Sequence, residues 1–97
     1  MLTVIAQFLV KADKTNDFLA QCQELIKHTR QETGCVSYEL QQNTEQDNHY
    51  VFIEQWKSKA DLEQHFATPH FTSIVPVLVE YLSLIHISEP TRHAQIS

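Results

Sequence analysis

Three side chains in the middle of the sequence have the right types to move protons: Tyr38, Glu54 and His65. An unperturbed imidazole titrates at about pH 6.5, so His65 is the leading candidate for a proton-handling group near neutrality. Glu54 alternates with Tyr50, Phe52 and Trp56, which puts all four on one face of a strand. A carboxyl buried among those rings would have a raised pKa and would be a usable base. Tyr38 can hydrogen-bond a substrate oxygen, and Trp56, Phe52 and Phe66 offer flat apolar walls. Gln7 and Asn43 carry amide donors suited to the same oxygen. Together these groups describe acid–base chemistry beside an aromatic-lined pocket. Each also has a plainer role open to it: helix packing for His65, core or interface packing for Trp56, an intersubunit ion pair for Glu54, surface polarity for Gln7 and Asn43.

Other chemistries find no pattern. His28, His49, His65 and His70 form no HxH or HxxxH pair, and helix-breaking Pro69 stands between the last two, so no metal site is expected. The chain has one glycine and no Gly-rich phosphate loop. A net charge of -5 without a basic stripe argues against nucleic acid. The apolar start MLTVIAQFLV lacks a basic flank and a cleavage site, and reads as a strand and not a signal peptide. No run approaches a membrane span. Cys22 and Cys35 are expected to be free thiols in a reducing cytoplasm, with Cys22 in the core.

The elements that must position these groups follow from hydrophobic period and turn chemistry. Leu2–Val10 is apolar on both faces, as in a strand covered twice. After a polar link at Ala12–Asn16, Asn16 is placed to cap a helix with Phe18, Leu19, Cys22, Leu25, Ile26 and Thr29 along one stripe. Gly34 is expected to stop that helix in the left-handed region. Cys35–Gln42 alternates, with Val36, Tyr38 and Leu40 together. Asn43–Asn48 (NTEQDN) is turn-rich, and His49–Trp56 is the next strand. Ser58 and Asp61 resemble a capping box for a helix bearing Leu62 and Phe66, which ends before Pro69. Phe71, Ile74, Val75, Leu78, Val79 and Leu82 then keep helical spacing, with a kink at Pro76. Strand, helix, strand, strand, helix is an α+β, ferredoxin-like split βαβ with its final strand still owed. Helices can cover only one face of such a sheet, so the apolar second face calls for a second copy of the chain: a homodimer.

MLTVIAQF, ETGCVSYEL and FIEQWKSKADLEQHFATPHF together resemble the antibiotic biosynthesis monooxygenase family of small dimeric α+β-barrel proteins, and within it the quinol monooxygenase-like branch. The resemblance runs from Met1 to about Tyr81, and Glu54, Trp56, Ser58, Leu62, His65 and Phe71 form its most specific part. It implies cofactor-independent oxidation of a quinol or phenolic aromatic with O2. Triplet oxygen reacts far faster with a phenolate than with a neutral phenol. The implied task is therefore to take a proton, hold the oxyanion and exclude water. On this footing His65, Glu54 and Tyr38 are the expected catalytic residues, and Trp56, Phe52, Gln7 and Phe66 the expected substrate contacts. The haem-degrading relatives use an Asn, a Trp and a His, which fall here on Gln7, His65 and Val75; with the haem-ligating His absent, no haem is expected. Another branch processes small phosphorylated diketones and shares the Thr68-Pro69-His70-Phe71 stretch. Phosphate would want a basic cluster, and only Lys57 and Lys59 approach one. A non-catalytic dimeric module that binds a small aromatic is the third possibility.

The end of the chain has a different resemblance. Leu82–Arg92 (LSLIHISEPTR) can be back-translated, in one frame, as the read-through of a transposase-type sequencing adapter. An index and further adapter bases account for His93–Ser97. Residues 1–81 are thus expected to be the domain and 82–97 a non-native tail standing where the native last strand belongs. His86, Glu89, Arg92 and His93 carry no functional expectation for that reason.

Overall fold

A computed structural model describes residues 1–88; the adapter-like stretch beyond Ser88, with Glu89, Arg92 and His93, lies outside the described residues. Strand β1 (Leu2–Val10) leads through a 3-10 turn (Ala12–Lys14) into α1 (Thr15–Thr29). β2 (Cys35–Gln42) and β3 (His49–Trp56) follow, then α2 (Lys59–Phe66), α3 (Pro69–Glu80) and β4 (Leu82–Ser88). The sheet is antiparallel with order β2-β3-β1-β4, the ferredoxin-like arrangement. Among the described residues no helix is long and apolar enough to cross a membrane.

Alternation along the strands sorts the core. Val4, Ala6, Phe8 and Val10 of β1 and Tyr50, Phe52, Glu54 and Trp56 of β3 are buried beneath the helices. From α1, Phe18, Cys22, Leu25 and Thr29 meet them, at the spacing of a single helical face. Phe8 stacks edge-on with Phe18 and Phe52, with centroids 6.0 and 5.7 Å apart. Cys22 is fully buried as expected, and burial pushes its thiol up to about 12. On the opposite sheet face, Ile5 stands across from Ile53 and Gln7 from Val51, with Leu9 and Leu84 alongside. Among the described residues no helix covers this face, and Ile53 is 39% exposed.

Several local expectations are corrected. Asn16 lies inside the first turn of α1, not at its cap: the 3-10 turn starts the winding earlier, and Lys14 holds the N-cap position with no side-chain bond. Gly34 does not have a positive φ, and α1 ends at Thr29, well before it. Its glycine character answers a close approach instead, since a Cβ there would run into the Asp61 side chain. The residue with left-handed φ is Asn48, at the end of the expected hairpin loop. In β2 the pairing register shifts between Cys35 and Ser37, so Val36 leaves the Tyr38–Leu40 face and is 44% exposed. Ser58 caps α2 as expected, accepting from Asp61 N and donating to Asp61 Oδ2. α3 begins two residues before its apolar stripe, at Pro69 with Thr68 as cap, and ends at Glu80, so Leu82 belongs to β4.

β4 fills the sheet edge where the native last strand was expected to be missing, pairing Ala6 with Ile87 and Phe8 with Ile85. The alternation in LSLIHIS is sufficient for a strand to pair, whatever the origin of the sequence.

Candidate functional site

A cavity of about 120 Å³ opens between the sheet and helices α2 and α3. Its walls are mostly aliphatic and aromatic, with Phe52 and Phe8 from the sheet and Leu62, Phe66, Phe71, Val75 and Val79 from the helices among them. Only three titratable side chains reach it among the described residues: Tyr38, Glu54 and His65. These are the three chosen from the sequence for proton transfer. Strand alternation places Tyr38 opposite Glu54 in the β2–β3 register, and one turn of α2 lowers His65 onto them.

His65 is almost entirely buried, with its ring 4.6 Å from the Trp56 ring, 5.7 Å from Tyr38 and 5.0 Å from Phe71, centroid to centroid. Its Nδ1 lies 2.7 Å from Glu32 Oε2. The same oxygen is 2.7 Å from His70 Nε2. Burial lowers the His65 pKa; the Glu32 hydrogen bond and charge oppose that shift without reversing it. The net direction favours the neutral ring. His70 is not the exposed residue expected at a helix start. Thr68 and Pro69 end one helix and open the next, and the turn swings His70 back against the end of α1, where it stacks on His28 at 5.7 Å.

The three ligand-type atoms of Glu32, His65 and His70 lie within 4.8 Å of one another. Sequence spacing alone gave no sign of this grouping. The two contacts of 2.7 Å are hydrogen-bond distances. Ligands about 2.1 Å from a tetrahedral metal keep roughly 3.3 Å between them, so the arrangement is that of a hydrogen-bonded trio.

Glu54 is buried, and Trp56 Nε1 donates to its Oε1 at 3.0 Å. Burial raises the carboxyl to about 7; the Trp56 bond pulls the other way, and Glu32 adds a small push upward. Tyr38 is also buried, and burial, then the Glu54 charge, hold its phenol far above the usual range, so it stays a donor. Among the described residues neither Tyr38 Oη nor His65 Nε2 has a hydrogen-bond partner. Both are absent from the fully enclosed unpaired atoms, of which Thr29 Oγ1 is the one described case. Both belong to side chains that line the cavity.

Of the expected substrate contacts, Phe52 and Phe66 line this cavity. Trp56 does not: it is fully enclosed and acts on the site through Glu54 and His65. Gln7 projects to the other face of the sheet, where it borders a shallower depression with Leu9, His49 and Leu84. Asn43 is engaged locally, with its amide 2.9 Å from His49 Nδ1. Glu32 was missed. It lies past the end of α1 in an irregular link, where no period predicts a side chain's direction.

Comparison with known proteins follows the same lines. The sequence model of the family described as antibiotic biosynthesis monooxygenase matches residues 1–77. A Bacillus subtilis (strain 168) protein named "Putative monooxygenase YcnE" is 35% identical over 83 residues, which cover 86% of this chain and 87% of that protein. "Uncharacterized protein sll1783" of Synechocystis sp. is 38% identical over 74 residues, 76% of this chain but 50% of that protein, so the chain spans half its length. A solved structure described as antibiotic biosynthesis monooxygenase superposes with a TM-score of 0.88 at 37% identity, covering 92% of this chain and 95% of the other. A conserved protein from Methanosarcina mazei Go1 gives 0.85 at 34% identity, covering 90% and 89%.

Proposed function

The chain belongs to the antibiotic biosynthesis monooxygenase family, and from that premise we propose that it is a cofactor-independent monooxygenase of a small quinol or phenol, acting as a homodimer. One observation carries the substrate class: an apolar cavity whose ionisable lining, among the described residues, is one imidazole, one carboxyl and one phenol. Its volume of about 120 Å³ compares with the ~150 Å³ that admits benzene in a protein core. The lining holds no Lys or Arg among the described residues, which disfavours a phosphorylated diketone.

In this reading neutral His65 takes the phenolic proton at Nε2, and Tyr38 Oη donates to the phenolate oxygen. The electron-rich ring then passes an electron to O2, the radical pair combines to a ring peroxide anion, and the proton held on His65 Nε2 returns to it to give the hydroperoxide. Loss of water from that hydroperoxide gives the quinone: the O–O bond breaks, one oxygen atom stays on the ring, and the other departs as hydroxide while the ring C–H releases its proton. Glu54, held up to about 7 and so about half protonated near pH 7, is the acid that protonates the departing hydroxide, and the ring C–H proton restores it. The hydrophobic walls exclude bulk water while these charges form.

The homodimer rests on the uncovered sheet face, where Ile5, Leu9, Val51, Ile53 and Leu84 make an apolar strip across three strands. A second sheet stacked on it would complete the α+β barrel.

Oxygen uptake with a panel of hydroquinones and phenols tests the activity. Uptake above autoxidation, with quinone formed in step with O2 consumed, is the expected result. A dimer that binds these compounds yet leaves their autoxidation rate unchanged would instead be the non-catalytic binding module.

A further inference from the structure

The trio of Glu32, His65 and His70 is brought together from three separate places: the link after α1, helix α2 and the start of α3. No sequence period joins them, and the chemistry proposed above uses only one of the three. We propose that Glu32 and His70 are positioning residues that select the tautomer of His65 and thereby aim its free nitrogen into the cavity. The inference rests on His65 being the proton acceptor of the proposed reaction.

The geometry fixes the assignment of protons. A carboxylate oxygen has no hydrogen to give, so a contact of 2.7 Å from Glu32 Oε2 to His65 Nδ1 requires the proton on Nδ1. The neutral ring then carries its lone pair on Nε2, which has no partner among the described residues and belongs to a side chain lining the cavity. The reverse tautomer would set two acceptors 2.7 Å apart and direct a donor, not a base, at the substrate. Glu32 therefore does more than pair with a histidine: it decides which nitrogen is reactive.

Glu32 itself must be held, because it comes from an irregular link. His70 Nε2 donates to the same oxygen at 2.7 Å, and its ring lies flat against His28, with 22° between the planes. Glu32 and His70 are each about 15% exposed at the side chain, against 1% for His65. Water can reach the outer pair but hardly the inner ring. The trio thus runs from the cavity wall outward, with the carboxylate between a buried base and a half-buried clamp.

The prediction is spectroscopic first and kinetic second. In full-length protein with 15N-labelled histidine at pH 8, long-range 1H–15N correlation should show His65 protonated at Nδ1 and bare at Nε2. In Glu32→Leu the His65 pattern should become a mixture of tautomers, and in His70→Ala it should shift part of the way. With a turned-over hydroquinone, Glu32→Leu should lose about 10–100-fold in kcat with KM little changed, and His70→Ala less. Wild-type protein alone suffices to sink the proposal: a proton on His65 Nε2 overturns it whether or not any variant folds. So does an unaltered tautomer in a folded Glu32→Leu. Titration with Zn2+ and Co2+ supplies the remaining arm, since stoichiometric binding that consumes both imidazole lone pairs would make the trio a metal site instead. A correct tautomer in a protein that never oxidises a phenol would fault the monooxygenase reading and not this assignment.

Discussion

Replacing Glu54 by Gln should stabilise the protein at neutral and alkaline pH and leave it unchanged in acid. Gln keeps the oxygen that accepts from Trp56 Nε1 and nearly the same shape, so the substitution removes the ionisable proton and little else. The Glu54 pKa rises from 4.5 to about 7 on folding, and at about 1.4 kcal/mol per unit that corresponds to about 3 kcal/mol. The sign follows from proton binding. Below pH 4.5 the carboxyl is protonated in both folded and unfolded chains, and costs nothing. Between pH 4.5 and about 7 the unfolded chain gives up its proton while the folded one retains it, so stability falls as pH rises. Above about 7 the folded protein carries a desolvated carboxylate, and the full cost stands. Glu54→Gln should therefore match wild type at pH 4 and exceed it by about 3 kcal/mol at pH 8, about 12–24 °C in Tm for a domain of this size. The lowered pKa of His65 affects both proteins equally and cancels in the difference. Urea unfolding of both, at one protein concentration and across that pH range, is the assay. A gap that stays flat with pH, or a Gln variant less stable at pH 8, would refute the claim that burial governs this carboxyl.

Other substitutions probe the remaining parts of the structure. His65→Ala should lower kcat by about 10²–10⁴-fold while substrate affinity changes little, and equal losses in both would mean that the ring only packs. Gly34→Ala should cost about 1–3 kcal/mol in thermal or urea unfolding, because its Cβ must push the Asp61 side chain away from the Ser58 cap; a neutral result would remove the close-approach explanation. Ile53→Asp, on the open sheet face, should convert a dimer to a monomer in light scattering while leaving the fold's circular dichroism in place. If wild type is already monomeric at micromolar concentration, the homodimer falls. Sequencing the locus from freshly isolated DNA should give codons other than LSLIHISEPTR after Tyr81, and finding those residues in the gene would end the adapter reading.

The legible parts of the sequence were those where one local rule determined the outcome. Alternation in His49–Trp56 put Glu54 among buried rings, and His65 could be picked by its ordinary pKa and the family pattern; the apolar pair expected on α2 was Leu62 and Phe66, whereas Leu62 and His65 are the buried ones. Where two rules competed, the local one lost. Gly34 looked like a helix stop, but its φ is not positive and the constraint comes from Asp61, distant in sequence. Gln7 was assigned to the site by type alone, although strand period sets it opposite to Ala6 and Phe8 and hence away from the cavity. Glu32 had no period at all. Its position is fixed by where α1 ends and how the Thr68–Pro69 turn redirects α3, which are tertiary facts with no short-range signature.

The adapter-like stretch bears on the site in a limited and definable way. Leu82, Ile85 and Ile87 line the cavity, and Ile85 and Ile87 are 43% and 57% exposed, as residues at a mouth would be. Among the described residues, every ionisable group that lines the cavity, and both residues proposed to hold His65 in place, precede Tyr81. If the native last strand differs, the change therefore falls on the apolar rim, which sets how large a ring is admitted and how well water is kept out. It leaves the Nδ1 proton of His65, the raised carboxyl of Glu54 and the phenol of Tyr38 where they are, since their partners are Glu32, Trp56 and one another. On the proposed reading, the last strand would adjust ring size at the rim, while the groups assigned to proton chemistry all precede it. A protein with a replaced final strand should shift its preference among hydroquinones while keeping the pH dependence of Glu54 and the tautomer of His65.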